Sequence, residues 1–224
     1  MTWTMIALCV VMYALQWITS GQRLGVTEMF QYAGLHTSAE YMEPWRMITS
    51  AFLHSPANPL HIVLNLYTLW LMGRILEPVL GWGQYLALYL ISAFGGAVAV
   101  LWLSDPFVPV VGASGAVYGL FAALFIVMRR RGGNVSSIAV LIGVNLVISF
   151  LPGANISWQG HIGGLVTGAL CAAAMTYIPV WRKGRTGLPW LAMGGILAVL
   201  VLLTVAGSLR LSQSVLMQHM LERG

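Results

Sequence analysis

Seven apolar stretches, separated by short breaks, leave this chain few ways to fold. They run over about Trp3–Ile18, Leu60–Leu76, Tyr85–Leu103, Ala113–Met128, Val135–Leu151, His161–Ile178 and Leu188–Gly207. A helix needs roughly 17–25 mostly apolar residues to cross a bilayer. Lipid offers no hydrogen-bond partners, so a spanning segment must satisfy its own backbone as a helix. The breaks carry turn residues or charge: "EPVLGWGQ", "SDPFVPVVG", "RRRGGN", "PGANISWQG" and "RKGRTG". Only 8% of the residues are charged and 58% are hydrophobic, against about 25% charged in a soluble domain. The expected fold is all-α, a polytopic membrane helix bundle. The second and fourth stretches are short, which predicts helices that stop below the membrane surface.

The first stretch lacks a basic leader and an A-x-A-like site, so it is read as a retained span rather than a cleaved signal. Residues 20–59 differ from the rest. They hold Glu28, Glu40 and Glu43, half of the chain's six acidic residues. This segment is too polar to span and too apolar for a free linker, which predicts a partly helical structure in the interface. Cys9 and Cys171 lie inside apolar runs and are read as small apolar residues, not as a bridge.

The net charge of +5 reads as membrane topology, not as nucleic-acid binding. With the N-terminus inside, the inner loops hold Arg74, Arg129, Arg130, Arg131, Arg182, Lys183 and Arg185. The outer segments hold Arg23, Arg46, Arg210 and Arg223. The dense clusters fall on one side, which predicts that residues 20–59 and the C-terminus face outward.

Polar groups at membrane depth are costly and mark candidate function. Ser114 stands in "VVGASGAVY", at the head of the fourth span. Serine, glycine and alanine are also common packing residues between membrane helices. His161 opens the sixth span, and Gly164, Gly168 and Ala172 follow it at i+3, i+7 and i+11. That spacing places them on one helix face, where a neighbour can come very close. The chain crosses twice between Ser114 and His161, so both lie on the same side of the membrane. If the two small faces pack together, the imidazole reaches the hydroxyl, the arrangement of a base-activated serine. Tyr118, at i+4 from Ser114, could support the ring or simply pack. His61 and Asn65 share a face at the same level of the second span; they could donate to an oxyanion or bond to nearby loops.

Other chemistries for cutting peptides in a membrane are missing. No H-E-x-x-H string is present, as a zinc protease would need. Asp105 is the chain's one aspartate, so a pair of aspartates sharing a proton is excluded. His54, His61 and His161 match no common zinc spacing, so neither metal nor cofactor is expected. With no acid near His161, the expected pair is a dyad. A helix N-terminus at Ser114 would favour the oxyanion, and one at His161 would keep the imidazole neutral.

Four motifs in order, "EPWRMITSAFLH", "HIVLN", "GASG" and "HIGGLVTG", resemble those of the rhomboid family of intramembrane serine proteases. They cover about residues 43–170. The resemblance implies Ser114 as nucleophile and His161 as general base. It implies His61, Asn65 and the Ser114 N–H as the oxyanion hole, and Tyr118 as the aromatic against the histidine. Gly112, Gly164 and Arg46 are implied as supporting residues and Glu77 as a structural acid. It also implies a six-helix core over about residues 1–180, including the interfacial loop at about 20–59, with a seventh helix in 181–224. Single-span transmembrane proteins are the implied substrates, cut near the outer face. Short loops and the lack of a large soluble segment point instead to a bacterial inner membrane, and the basic loops to a cytoplasmic N-terminus. The fifth span and the loop at about Pro152–Gln159 are implied as a gate. The rival readings are a non-catalytic rhomboid-like binding factor and a small transporter. A transporter should carry ionisable groups at the midplane, and these spans carry them only at their ends.

Overall fold

The computed structural model describes residues 1–151, 156–181 and 187–221. Helices occupy all seven apolar stretches: α1 (Thr2–Ile18), α4 (Pro59–Leu80), α5 (Trp82–Leu103), α6 (Ser114–Arg130), α7 (Ser136–Ser149), α8 (Trp158–Trp181) and α9 (Leu188–Leu221). Short helices α2 (Val26–Phe30) and α3 (Arg46–Thr49) lie between α1 and α4, with single 3₁₀ turns at Gly34–Thr37 and Ser50–Phe52. The expectation of a partly helical first loop is met. Among the described residues, four helices are long and apolar enough to cross a membrane: α4, α5, α8 through Ile178, and α9 through Gln213.

The helix ends follow local chemistry. Pro59 stands in the first turn of α4, where its missing N–H removes no intrahelical bond. Gly81, at φ +78°, ends α4 and leads directly into α5. Arg129 and Arg130 fill the last turn of α6, where cations complement the negative end of the helix dipole. The Asn134 side chain accepts the Ser136 N–H at 2.8 Å and so holds the start of α7.

Two boundaries depart from the sequence reading. The second span is not short: α4 has 22 residues and runs on to Leu80. Pro78 is tolerated because it stands in the last turn, where it removes one bond. The seventh helix continues past Gly207 because its polar stretch meets the first loop. Ser208 Oγ donates to the Thr37 carbonyl at 2.6 Å, and Ser212 Oγ accepts the Ala39 N–H at 2.9 Å. The Arg210 guanidinium lies 5.0 Å from the Trp102 ring centroid, a cation–π contact.

The core is built from α5, α6 and α8, whose close approach depends on missing side chains. A Cβ on Gly164 would collide with the Gly115 carbonyl, and one on Gly168 with the Gly119 backbone. A Cβ on Gly163 would meet Ala99 and Gly95, and one on Gly95 would meet Thr167. Small residues of this kind let membrane helices bring their backbones into contact. The predicted α8 face is therefore real, with Ala172 fully buried on it, and Gly163 extends it toward α5. In α5, 61% of the apolar window is buried, against 17% in α9; α5 is the central helix and α9 flanks it. α7 is more loosely placed still, and Ser149 is its one buried residue.

The start of α1 is tied to the end of α4 by Glu77, which accepts the Thr2 N–H at 2.9 Å and the Thr2 hydroxyl at 2.6 Å. Cys9 and Cys171 are both free and buried, as expected. Arg182, Lys183, Arg185, Arg223 and residues 152–155 of the loop implied as a gate lie outside the described residues.

Candidate active site

α4, α6 and α8 all begin at one end of the bundle, so His61, Ser114 and His161 stand at a common level. Arg74 and Arg129–Arg131 stand toward the opposite ends of α4 and α6. Ser114 is the first residue of α6. The first N–H groups of a helix have no intrahelical acceptor, so the Ser114 amide faces the site together with its side chain. Gly112 turns the chain into this helix at φ +135°, a conformation that L side chains rarely adopt. A Cβ there would also lie 3.0 Å from His61 Nε2 and 3.6 Å from Ser114 Oγ. Gly112 is thus where the serine loop touches His61.

Ser114 Oγ and His161 Nε2 are 2.8 Å apart. His161 is 5% exposed. The Tyr118 ring stacks on the imidazole, with centroids 4.2 Å apart and planes within 16°. The second ring nitrogen, Nδ1, meets Ser149 Oγ at 2.8 Å. His61 is fixed differently. Its Nδ1 accepts the Ser55 N–H at 3.1 Å, so the proton of a neutral ring resides on Nε2, the nitrogen beside Gly112. Asn65 Nδ2 donates to the His61 carbonyl at 2.8 Å; this bond ties Asn65 to its own helix and leaves its second N–H.

The first loop holds the serine segment from behind. Arg46 is 8% exposed. Its Nη1 donates to the carbonyls of Glu28 (2.5 Å) and Gln31 (3.2 Å), and its Nε lies 2.7 Å from Glu43 Oε2. This anchors α3 and the turn after it, where the Ser50 carbonyl accepts the Gly112 N–H at 3.0 Å. Tyr32 and Val110 exchange both backbone bonds as an isolated antiparallel bridge. With the Gly112 amide committed to Ser50, the Ser114 amide is the better placed donor. A cavity of about 50 Å³ opens beside Ser114, lined by Met47, Ser50, Gly96, Ala97, Val100 and Ser157 among others. A water occupies at least about 10–15 Å³ on this measure, so the cavity has room for a few waters or one small side chain.

A model of the Rhomboid domain family matches residues 41–178. The chain belongs to the rhomboid family. It is 34% identical over 182 residues to Rhomboid protease GluP of Bacillus subtilis (strain 168), covering 78% of this chain and 34% of that protein. It is 32% identical over 181 residues to Rhomboid protease GlpG of Serratia proteamaculans (strain 568), covering 77% and 61%. It is 35% identical over 134 residues to RHOMBOID-like protein 6, mitochondrial, of Arabidopsis thaliana, covering 56% and 42%. The chain thus spans between 34% and 61% of the length of these relatives. It is an integral membrane protein with a rhomboid-like helical bundle.

Ser149, Ser50 and Gln16 are absent from the sequence reading of the site. Gln16 accepts the His54 N–H at 3.0 Å and donates to the His54 carbonyl at 2.9 Å, clasping the strand-like segment before α4. The His54 ring is fully buried, 5.3 Å from the His61 ring. Burial, and to a lesser degree His61, push its pKa down to about 3, so it is neutral and serves as packing behind His61.

Proposed function

We propose that this chain is an intramembrane serine endopeptidase that works through a Ser114–His161 dyad. The observation that carries the reading is the 2.8 Å contact between Ser114 Oγ and His161 Nε2, with Tyr118 stacked on the ring. That is hydrogen-bond reach for a nucleophile and its base. His161 Nε2 takes the hydroxyl proton as Oγ attacks the scissile carbonyl. The oxyanion receives the Ser114 N–H and the His61 Nε2–H, with the second N–H of Asn65 in reserve. His161 then protonates the leaving amine, and an acyl-enzyme remains on Ser114. Water entering through the cavity reverses the sequence: His161 removes its proton, and the acid leaves as Ser114 recovers its own.

The substrates are single-span membrane proteins. Their scissile segment must unwind, because a helix already commits its carbonyls to internal bonds. The cavity beside Ser114 favours a small side chain before the scissile bond. The positions of Arg74 and Arg129–Arg131, opposite the site, support an orientation with Ser114 toward the outer face. Bacterial relatives favour a bacterial inner membrane.

The test is cleavage of a fluorescent single-span substrate by purified protein in detergent. Ser114→Ala and His161→Ala should each abolish it; retained cleavage in either rejects the dyad. Labelling of Ser114 by a fluorophosphonate, lost in the His161 variant, separates this reading from a binding factor or a transporter.

A further inference from the structure

α7 places a single residue in the interior, and that residue touches the base. Ser149 is 5% exposed, and its Oγ is 2.8 Å from His161 Nδ1. The same oxygen donates to the Asn145 carbonyl one turn back, at 2.9 Å. A serine hydroxyl has one proton to give. With that proton on Asn145, Ser149 Oγ can only accept, so Nδ1 of His161 carries the hydrogen. Nε2 is then bare and faces the Ser114 hydroxyl. The chain of bonds therefore has one direction: Ser114 O–H to Nε2, Nδ1–H to Ser149 Oγ, Ser149 O–H to the Asn145 carbonyl.

We infer that Ser149 is a positioning residue, which holds His161 in the tautomer that can deprotonate Ser114. The inference rests on the dyad reading. Carboxylates serve this purpose in catalytic triads; a neutral hydroxyl backed by a carbonyl dipole suits a site without an acid. When His161 takes the proton, Nδ1–H belongs to a cation and its bond to Ser149 strengthens. The gain arises in the transition state, so it acts on kcat and leaves KM nearly unchanged.

The experiment compares Ser149→Thr, Ser149→Val and Ser149→Ala with the unchanged protein, using the fluorescent single-span substrate in detergent. Threonine and valine have the same shape and differ in the hydroxyl, so a packing defect affects both alike. Threonine should stay within about threefold of the unchanged protein, while valine and alanine lose about ten- to a hundredfold in kcat with KM within about twofold, the loss expected for one hydrogen bond to a charged group. Equal activity of the threonine and valine variants, whether high or low, overturns the inference. Ser114→Ala and His161→Ala run in parallel: if they are inactive while threonine and valine match, the dyad stands and only the role of Ser149 fails.

Discussion

Gly168 of α8 rests directly on the backbone of Gly119 of α6, and one turn nearer the site Gly164 rests on the Gly115 carbonyl. The spacing of these two helices sets the distance between Ser114 and His161, which top them. Side chains on Gly164 or Gly168 would force the helices apart, and overpacking of this kind costs about 1–3 kcal/mol. Gly164→Ala and Gly168→Ala should each lower the melting temperature in detergent and cut cleavage more than tenfold. Gly143→Ala on α7, where a Cβ meets nothing within 4 Å, should leave both within error. Equal effects at all three positions would refute the packing argument.

The Gln16 clasp predicts a stability loss without a direct effect on chemistry. Gln16→Leu strands the buried His54 N–H and carbonyl, at about 1–3 kcal/mol for each unsatisfied group. Thermal unfolding should fall markedly, and the surviving folded fraction should label at Ser114 at the normal rate. An unchanged melting temperature would show that water replaces the amide.

Acid should destabilise the fold through His54. Its folded pKa of about 3 lies below the ordinary value of about 6.5. Between those values the unfolded chain binds a proton that the folded chain refuses. Stability from this group is therefore complete above pH 6.5 and declines as pH falls toward 3, by up to about 1.4 kcal/mol per pH unit. Melting curves at pH 7, 6, 5 and 4 should show a shallower acid decline in His54→Gln than in the unchanged protein. Parallel declines would remove His54 as the cause.

α9 should matter for stability rather than for chemistry. It meets the first loop through Ser208 and Ser212 and α5 through the Trp102–Leu203 bond of 3.1 Å. A chain ending after Ile178 should melt lower yet still cleave substrate below its melting temperature. Loss of cleavage in a demonstrably folded truncation would assign α9 a part in the site.

The spans were legible because lipid imposes a simple rule on backbone polar groups, and every apolar stretch is a helix. The pairing of Ser114 with His161 was legible from parity: two crossings separate them, and both head small-residue faces. Tyr118 followed from its position one turn below Ser114. The partners of these residues were not legible. A serine near the end of an apolar helix, such as Ser149, has the sequence appearance of one bonded only to its own i−4 carbonyl. Ser50 and Gln16 act through backbone bonds to Gly112 and His54, and no periodicity marks such distant pairs. The end of α4 was misplaced because its last turn contains Glu77 and Pro78, residues that look like a break and are instead held by Thr2 and by the helix terminus.

A helix with one inward residue is held mainly by what surrounds it. α7 exposes Val140, Val144 and Val147 by 52–64%, so the bilayer is its principal neighbour. With Ser149 in its proposed role, changes in acyl-chain length or lateral pressure that move α7 should reach His161 through the Ser149 hydroxyl. On the proposed dyad, the expected consequence is a turnover rate that responds to the physical state of the lipid, a sensitivity that a base held by a carboxylate on a central helix would not share.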